Sequence, residues 1–134
     1  MNAYIFFCHA PIALLSTLEN SRSFAVALEK PARTGMGKFI KHWPYAGYKM
    51  TIFSTPEEKV AETNQLAGKV KFYPDEALQK AGGNLVIAKE WQSNAIRDRE
   101  LITGQNPSSD DQLVGLLLTA LQEQDKINKT LPRN

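Results

Sequence analysis

The chain has 134 residues, enough for at most one domain with a core of useful size, and residues 1–134 are read as that one domain. Sixteen Lys and Arg against fourteen Asp and Glu leave no strong field, so charge gives no ground for a nucleic-acid or membrane-surface partner. A single cysteine, Cys8, excludes an internal disulfide and a cysteine-based structural zinc site, and it fits a reducing, cytoplasmic compartment.

The apolar run Tyr4 to Phe7 suits a parallel strand covered on both faces. The stretch Ala3 to Phe7 is too short to span a membrane and lacks the basic flank of a signal peptide. Pro11 stops the strand but is tolerated in the first turn of a helix, and Ile12, Leu14, Leu15 and Leu18 then recur at helical spacing. After the polar break from Glu19 to Ser23, the pattern predicts a helix over Phe24 to Leu28, ended by Pro31. A second amphipathic piece, Gly37 to Trp43, is closed by Pro44. Gly47 to Phe53 alternates and reads as a strand. Ser54 or Thr55 caps the next helix, with Pro56, Glu57 and Glu58 in its first turn, and Gly68 follows its end near Leu66. Pro74 to Ala81 is a short helix stopped by Gly82 and Gly83, Asn84 to Ala88 a strand, and Ala95 to Ile102 a hairpin turning at Asp98 and Arg99. Asn106 caps the last helix, Pro107 takes its first position, and Leu113, Leu116, Leu117, Ala120 and Leu121 form its core-facing stripe. The polar tail from Lys126 to Asn134 is expected to fray.

Strands alternating with helices predict an α/β layered fold with a mostly parallel sheet. Chemistry in such folds gathers at the carboxyl ends of the strands. Cys8 lies at one such end, Glu57 and Glu58 at another, Gln105 and Asn106 at a third. A thiol at a strand-to-helix corner is exposed above the sheet, and unpaired N–H groups at the helix start favour its thiolate. This is a nucleophile elbow with cysteine in place of serine. The competing reading is a small core hydrophobe, and His9 alone adds little, since adjacent side chains on a strand point to opposite faces. His42 reads as a solvated histidine, Trp43 as a packing anchor, and Trp91 as core or pocket wall. No His, Cys, Asp and Glu spacing suggests a metal site, and Gly35 and Gly37 lack the pattern of a phosphate loop. No cofactor is expected.

Cys8-His9-Ala10-Pro11 resembles the Cys-His-Gly-Pro elbow of the ThiJ/PfpI superfamily, the class I glutamine-amidotransferase-like proteins. Met50 to Ser54 followed by Glu57 and Glu58 resembles that family's strand and acidic turn. Trp91, Asp98 and the run Leu101 to Ser109 resemble its C-terminal hairpin, turn and helix. The resemblance is nearest the branch with glyoxalase III and the heat-shock-associated deglycase chaperones. It implies the C-terminal part of a flavodoxin-like doubly wound sheet. The family's upstream strands, with an acidic residue near the nucleophile and the glycine completing the oxyanion hole, have no counterpart before Tyr4. On this view Tyr4 to Phe7 becomes an open edge that pairs with a second copy or a partner. Ala10 stands where the family has glycine, a residue suited to positive φ. The segment Glu19 to Tyr45 is a longer connection than the branch usually has, read as a surface insertion, with a lid or a dimer contact as the alternatives.

Carried over by position, the resemblance implies Cys8 as nucleophile and His9 as its base. Glu58 is the acid orienting His9, with Glu57 the near alternative, and the His9 N–H supplies half an oxyanion hole. The implied activity is a cysteine-dependent conversion of small reactive carbonyls, methylglyoxal and glyoxal, in stress protection. The alternatives are a cysteine peptidase or amidase, and a non-catalytic holdase or redox-sensing fragment.

Overall fold

Leu101 and Ile102 are neighbours in sequence and both fully buried, which a strand permits only when both of its faces are covered. The computed structural model, which describes residues 3–30 and 42–130, provides that cover. Strands β1 (Tyr4–Phe7), β4 (Ala95–Asp98) and β5 (Leu101–Gly104) form a sheet in the order β1-β5-β4. β1 runs parallel to β5, and β4 antiparallel to it. Strands β2 (Lys49–Met50) and β3 (Asn84–Leu85) form a parallel pair. Helices α1 (Ser21–Glu29), α2 (Thr55–Asn64), α3 (Pro74–Ala81) and α4 (Asp110–Thr130) complete the fold, with a 3-10 helix at Ala10–Thr17.

The fold class is α/β, as expected. Side chains alternate between two cores across the sheet. Leu101 and Phe6 join Leu14, Phe24, Ile52 and Leu78 on one side. Ile102 and Phe7 join Ala95, Leu113 and Ala120 of α4 on the other. Leu121 departs from the expected stripe and is 50% exposed. β1 departs too: among the described residues it is paired only with β5, and Tyr4 and Ile5 are 44% and 41% exposed, so the run is an edge strand there rather than one covered on both faces.

Local signals set most boundaries. Ser54 caps α2 in a capping box with Glu57, and Gly82, at φ 105°, ends α3 in the left-handed conformation that favours glycine. The first helix is 3-10 rather than α. Its three-residue turn puts Pro11 and Leu14 on one buried face. α1 begins three residues earlier than the apolar pattern, at Ser21, and seats Phe24 and Leu28 in the core. The piece predicted at Gly37 to Trp43 lies outside the described residues up to position 41. Trp43 itself is buried and its indole N–H donates to Leu14 O at 3.1 Å. α4 continues through Thr130, so residues 126–130 of the expected tail are helical.

Two predicted strands are shorter than their patterns because side chains take over the ladder. Beyond β2, Thr51 N–H donates to Thr103 Oγ1 (2.9 Å) and Phe53 N–H to Cys8 O (3.1 Å). Beyond β3, Val86 N–H still reaches Met50 O, but Ala88 N–H donates to Gln105 Oε1 (2.9 Å). The hairpin turns one residue later than expected, at Arg99 and Glu100, with Arg99 at φ 57°. No helix among the described residues is long and apolar enough to cross a membrane.

Candidate active site

β1 ends at Phe7, and the chain turns at Cys8 with φ 55°. A left-handed backbone costs a non-glycine residue about 1–2 kcal/mol, so the corner has to be held in place. Two backbone bonds to separate segments hold it: Cys8 N–H donates to Gly104 O (2.9 Å), and Cys8 O accepts from Phe53 N–H (3.1 Å). The positive φ falls on Cys8 itself. Ala10 lies inside the 3-10 helix, so its methyl group meets no backbone demand for glycine.

The corner brings three predicted site residues together. His9 Nδ1 is 3.2 Å from Cys8 Sγ, and His9 Nε2–H donates to Glu58 Oε1 at 2.5 Å. Glu58 is buried, with a side chain 5% exposed, while that of His9 is 52% exposed. The hydrogen bond with Cys8 is the largest influence on the ring and raises its pKa. Burial opposes it, the Glu58 bond adds to it, and the result is a pKa raised to about 9. At neutral pH His9 is therefore an imidazolium, with one N–H aimed at the sulfur and the other at a buried carboxylate. The Phe53 ring lies 4.4 Å from the imidazole, centroid to centroid. The His9 backbone N–H has no protein acceptor among the described residues.

Glu57 does something else. Successive helical residues differ in direction by about 100°, and Glu57 points into the protein, fully buried. Its Oε2 accepts from Ser54 N–H (2.9 Å), Ser54 Oγ (2.7 Å) and Gln105 Nε2 (3.0 Å). Its Oε1 accepts from Trp91 N–H (2.9 Å) and Asn106 Nδ2 (2.7 Å). Burial pushes its pKa up, but the bonds from Ser54, Trp91 and Asn106 outweigh burial, and the net shift is downward. Gln105 and Asn106 thus converge with the acidic turn, as their strand-end positions suggested, but they meet Glu57 beneath the site rather than Cys8. The Ser54-Thr55-Pro56-Glu57 capping-box spacing was the sequence signal for this inward role.

An open cavity of about 460 Å³ stands in front of Cys8 and His9, with Phe53, Glu58, Leu66, Val70, Trp91 and Pro107 among its walls. Trp91 is thus pocket wall, one of the two positions expected for it, and its ring meets Phe53 edge-on at 5.7 Å. Phe53 carried no site signal in the sequence beyond strand alternation. Trp43 is the packing anchor expected, and His42 is exposed. Among the described residues no cluster of three or more His, Cys, Asp or Glu side chains could hold a metal ion.

No protein-family model matches this chain, and no curated protein matches it in sequence. Solved structures do. The Rapid Encystment Protein 24 KDa (REP24) of Francisella tularensis is 26% identical with a TM-score of 0.63, over 89% of this chain and 43% of that one. A protein described as APC35852 is 25% identical with a TM-score of 0.63, over 91% of this chain and 45% of that one. The chain therefore spans less than half the length of these two neighbours.

A thiol, an imidazolium and a buried carboxylate in line, at the mouth of a cavity, are the parts of a nucleophilic relay. The carboxylate fixes the ring. The ring nitrogen facing the sulfur, Nδ1, is left as the atom that gives and takes protons.

Proposed function

We propose that this chain is a cysteine-dependent enzyme of the ThiJ/PfpI type that converts small reactive carbonyls of the methylglyoxal and glyoxal kind, a protective role suited to the reducing cytoplasm. The line Cys8–His9–Glu58, at 3.2 and 2.5 Å, is the observation that carries the reading. Cys8 Sγ adds as the thiolate to the aldehyde carbon, and His9 Nδ1 gives the resulting alkoxide its proton. The neutral imidazole then takes the hydrogen from that carbon and returns it to the neighbouring carbonyl carbon. Water releases the 2-hydroxy acid, and the proton it leaves on sulfur returns to His9 Nδ1. Glu58 holds the ring through its bond to Nε2, as the acid of such a relay does. The His9 backbone N–H, without a protein acceptor among the described residues, would receive the developing oxyanion.

Association through β1 belongs to the same proposal. Among the described residues its outer edge has no strand partner beside exposed Tyr4 and Ile5, which invites another strand. A stable monomer in light scattering would remove that part. The activity itself is tested by methylglyoxal consumption with lactate as product. Wild type is expected to turn over and Cys8→Ala to fall to background, and equal rates would sink the reading.

A further inference from the structure

A three-carbon oxoaldehyde has five non-hydrogen atoms and fills on the order of 100 Å³. The cavity before Cys8 is about 460 Å³, within the range of sites that hold ligands with a ring or a branched chain. Its walls are mostly apolar: Phe53, Leu66, Val70, Trp91 and Pro107. The one cation among its lining residues, the His9 imidazolium, has its two ring N–H groups committed to Cys8 and Glu58, and its one carboxylate, Glu58, is engaged with His9. Beside these walls stands one amide, Gln65, so a carboxylate or phosphate on the substrate would find no uncommitted cation there.

Trp91 is the unusual wall. It sits at φ 62°, where a bulky residue is a genuine outlier, and the residue is left 42% exposed. Its N–H is fixed to buried Glu57 (2.9 Å), and the next carbonyl, Gln92 O, accepts from Asn106 Nδ2 (2.8 Å). Strain of this kind persists only where the surroundings impose it. Here the buried network holds an indole against Phe53 at the mouth of the nucleophile's cavity.

We propose that the site takes 2-oxoaldehydes carrying an uncharged aromatic or bulky apolar substituent, and that Trp91 is the residue that selects for it. This rests on the carbonyl chemistry proposed above. The substituent lies between Trp91 and the Leu66–Val70 wall while the aldehyde faces Sγ. The balance is R–CO–CHO plus water giving R–CHOH–COOH. A C–S bond forms at the aldehyde carbon, whose hydrogen passes through His9 to the ketone carbon. The aldehyde carbon is oxidised and the ketone carbon reduced, and water breaks the C–S bond.

Two measurements test it. In turnover, phenylglyoxal, which yields mandelate, is expected to exceed methylglyoxal in kcat/KM by tenfold or more. Trp91→Ala should lower that ratio at least tenfold, chiefly through the KM for phenylglyoxal. In binding, acetophenone is expected to slow alkylation of Cys8 by iodoacetamide while acetone at equal concentration does not. Trp91→Ala should remove the difference and Trp91→Phe keep most of it. Acetophenone protection without any turnover would overturn the catalytic proposal and leave the aromatic site standing. Methylglyoxal turnover at a ratio near one, without acetophenone protection, would overturn the aromatic site and leave the catalysis.

Discussion

Glu57 and Glu58 are neighbours of the same type, yet neutralising them should have different consequences, one for stability and the other for the site. Glu57→Gln replaces one carboxylate oxygen by an NH2 group. Both oxygens accept a backbone N–H, Oε2 from Ser54 and Oε1 from Trp91, and a backbone donor cannot flip. Whichever way the amide is set, one buried N–H faces another donor. Asn106 cannot relieve this by turning its own amide, because its Nδ2 also donates to Gln92 O and its Oδ1 accepts from Ser109. An orphaned buried donor costs about 1–3 kcal/mol, and the remaining bonds lose their charge assistance, so the expected destabilisation is about 3 kcal/mol. Against a total of roughly 5–15 kcal/mol, that lowers the urea midpoint by roughly 1–2 M. The pH dependence has a definite sign. Glu57 is depressed in the fold, so its contribution is present above the ordinary value of 4.5 and is lost as pH falls through the folded value. Wild type should therefore lose stability on the acid side more steeply than Glu57→Gln. Urea titration followed by circular dichroism at pH 7 and at lower pH gives both quantities. A Glu57→Gln midpoint within about 0.3 M of wild type would refute the account of the network.

Glu58→Gln should instead leave stability close to wild type and act on His9. The His9 ring should titrate near pH 9 by proton NMR. Cys8→Ala should lower that midpoint more than Glu58→Gln does, because the Cys8 hydrogen bond is the larger influence, and a Cys8→Ala midpoint unchanged from wild type would contradict this. Since His9 is raised in the fold, its stabilising contribution is complete below pH 6.5 and fades as pH rises through about 9. Unscreened, the shift is worth about 3 kcal/mol, but the ring is half exposed and about 1 kcal/mol is the expected loss. Urea midpoints at pH 6 and 9.5 measure it, and His9→Asn should abolish the difference. Finally, Cys8→Gly should unfold at higher urea than Cys8→Ala, by roughly 1 kcal/mol, because glycine accepts the φ of 55° without strain. The reverse order would show that the corner is not strained.

Helix starts and stops were legible because their physics is local. Pro11, Pro56 and Pro107 each open a helix, and Gly82 closes one, through groups within about four residues. The 3-10 geometry after Cys8 was not legible, because Ile12, Leu14, Leu15 and Leu18 satisfy either helical period until packing on the sheet chooses. Strand lengths escaped for a different reason. Thr103 Oγ1 and Gln105 Oε1 substitute for ladder carbonyls, and no alternation pattern reports a side chain arriving from another strand.

The sequence by itself placed Cys8 and His9 at a strand-to-helix corner, since a short apolar run, a proline and a helical repeat lie within a few residues of each other. The family resemblance put Glu58 ahead of Glu57 as the partner of His9, but no local signal distinguishes two adjacent carboxylates. Only the tertiary structure supplies the physical distinction. The Phe53–Cys8 backbone bond and the core beneath α2 set the rotation of that helix, and residues about 100° apart then face different surroundings. Glu58 meets an imidazole 49 positions away, and Glu57 meets Trp91, Gln105 and Asn106. Long-range packing decides which carboxylate serves the site and which holds up its wall.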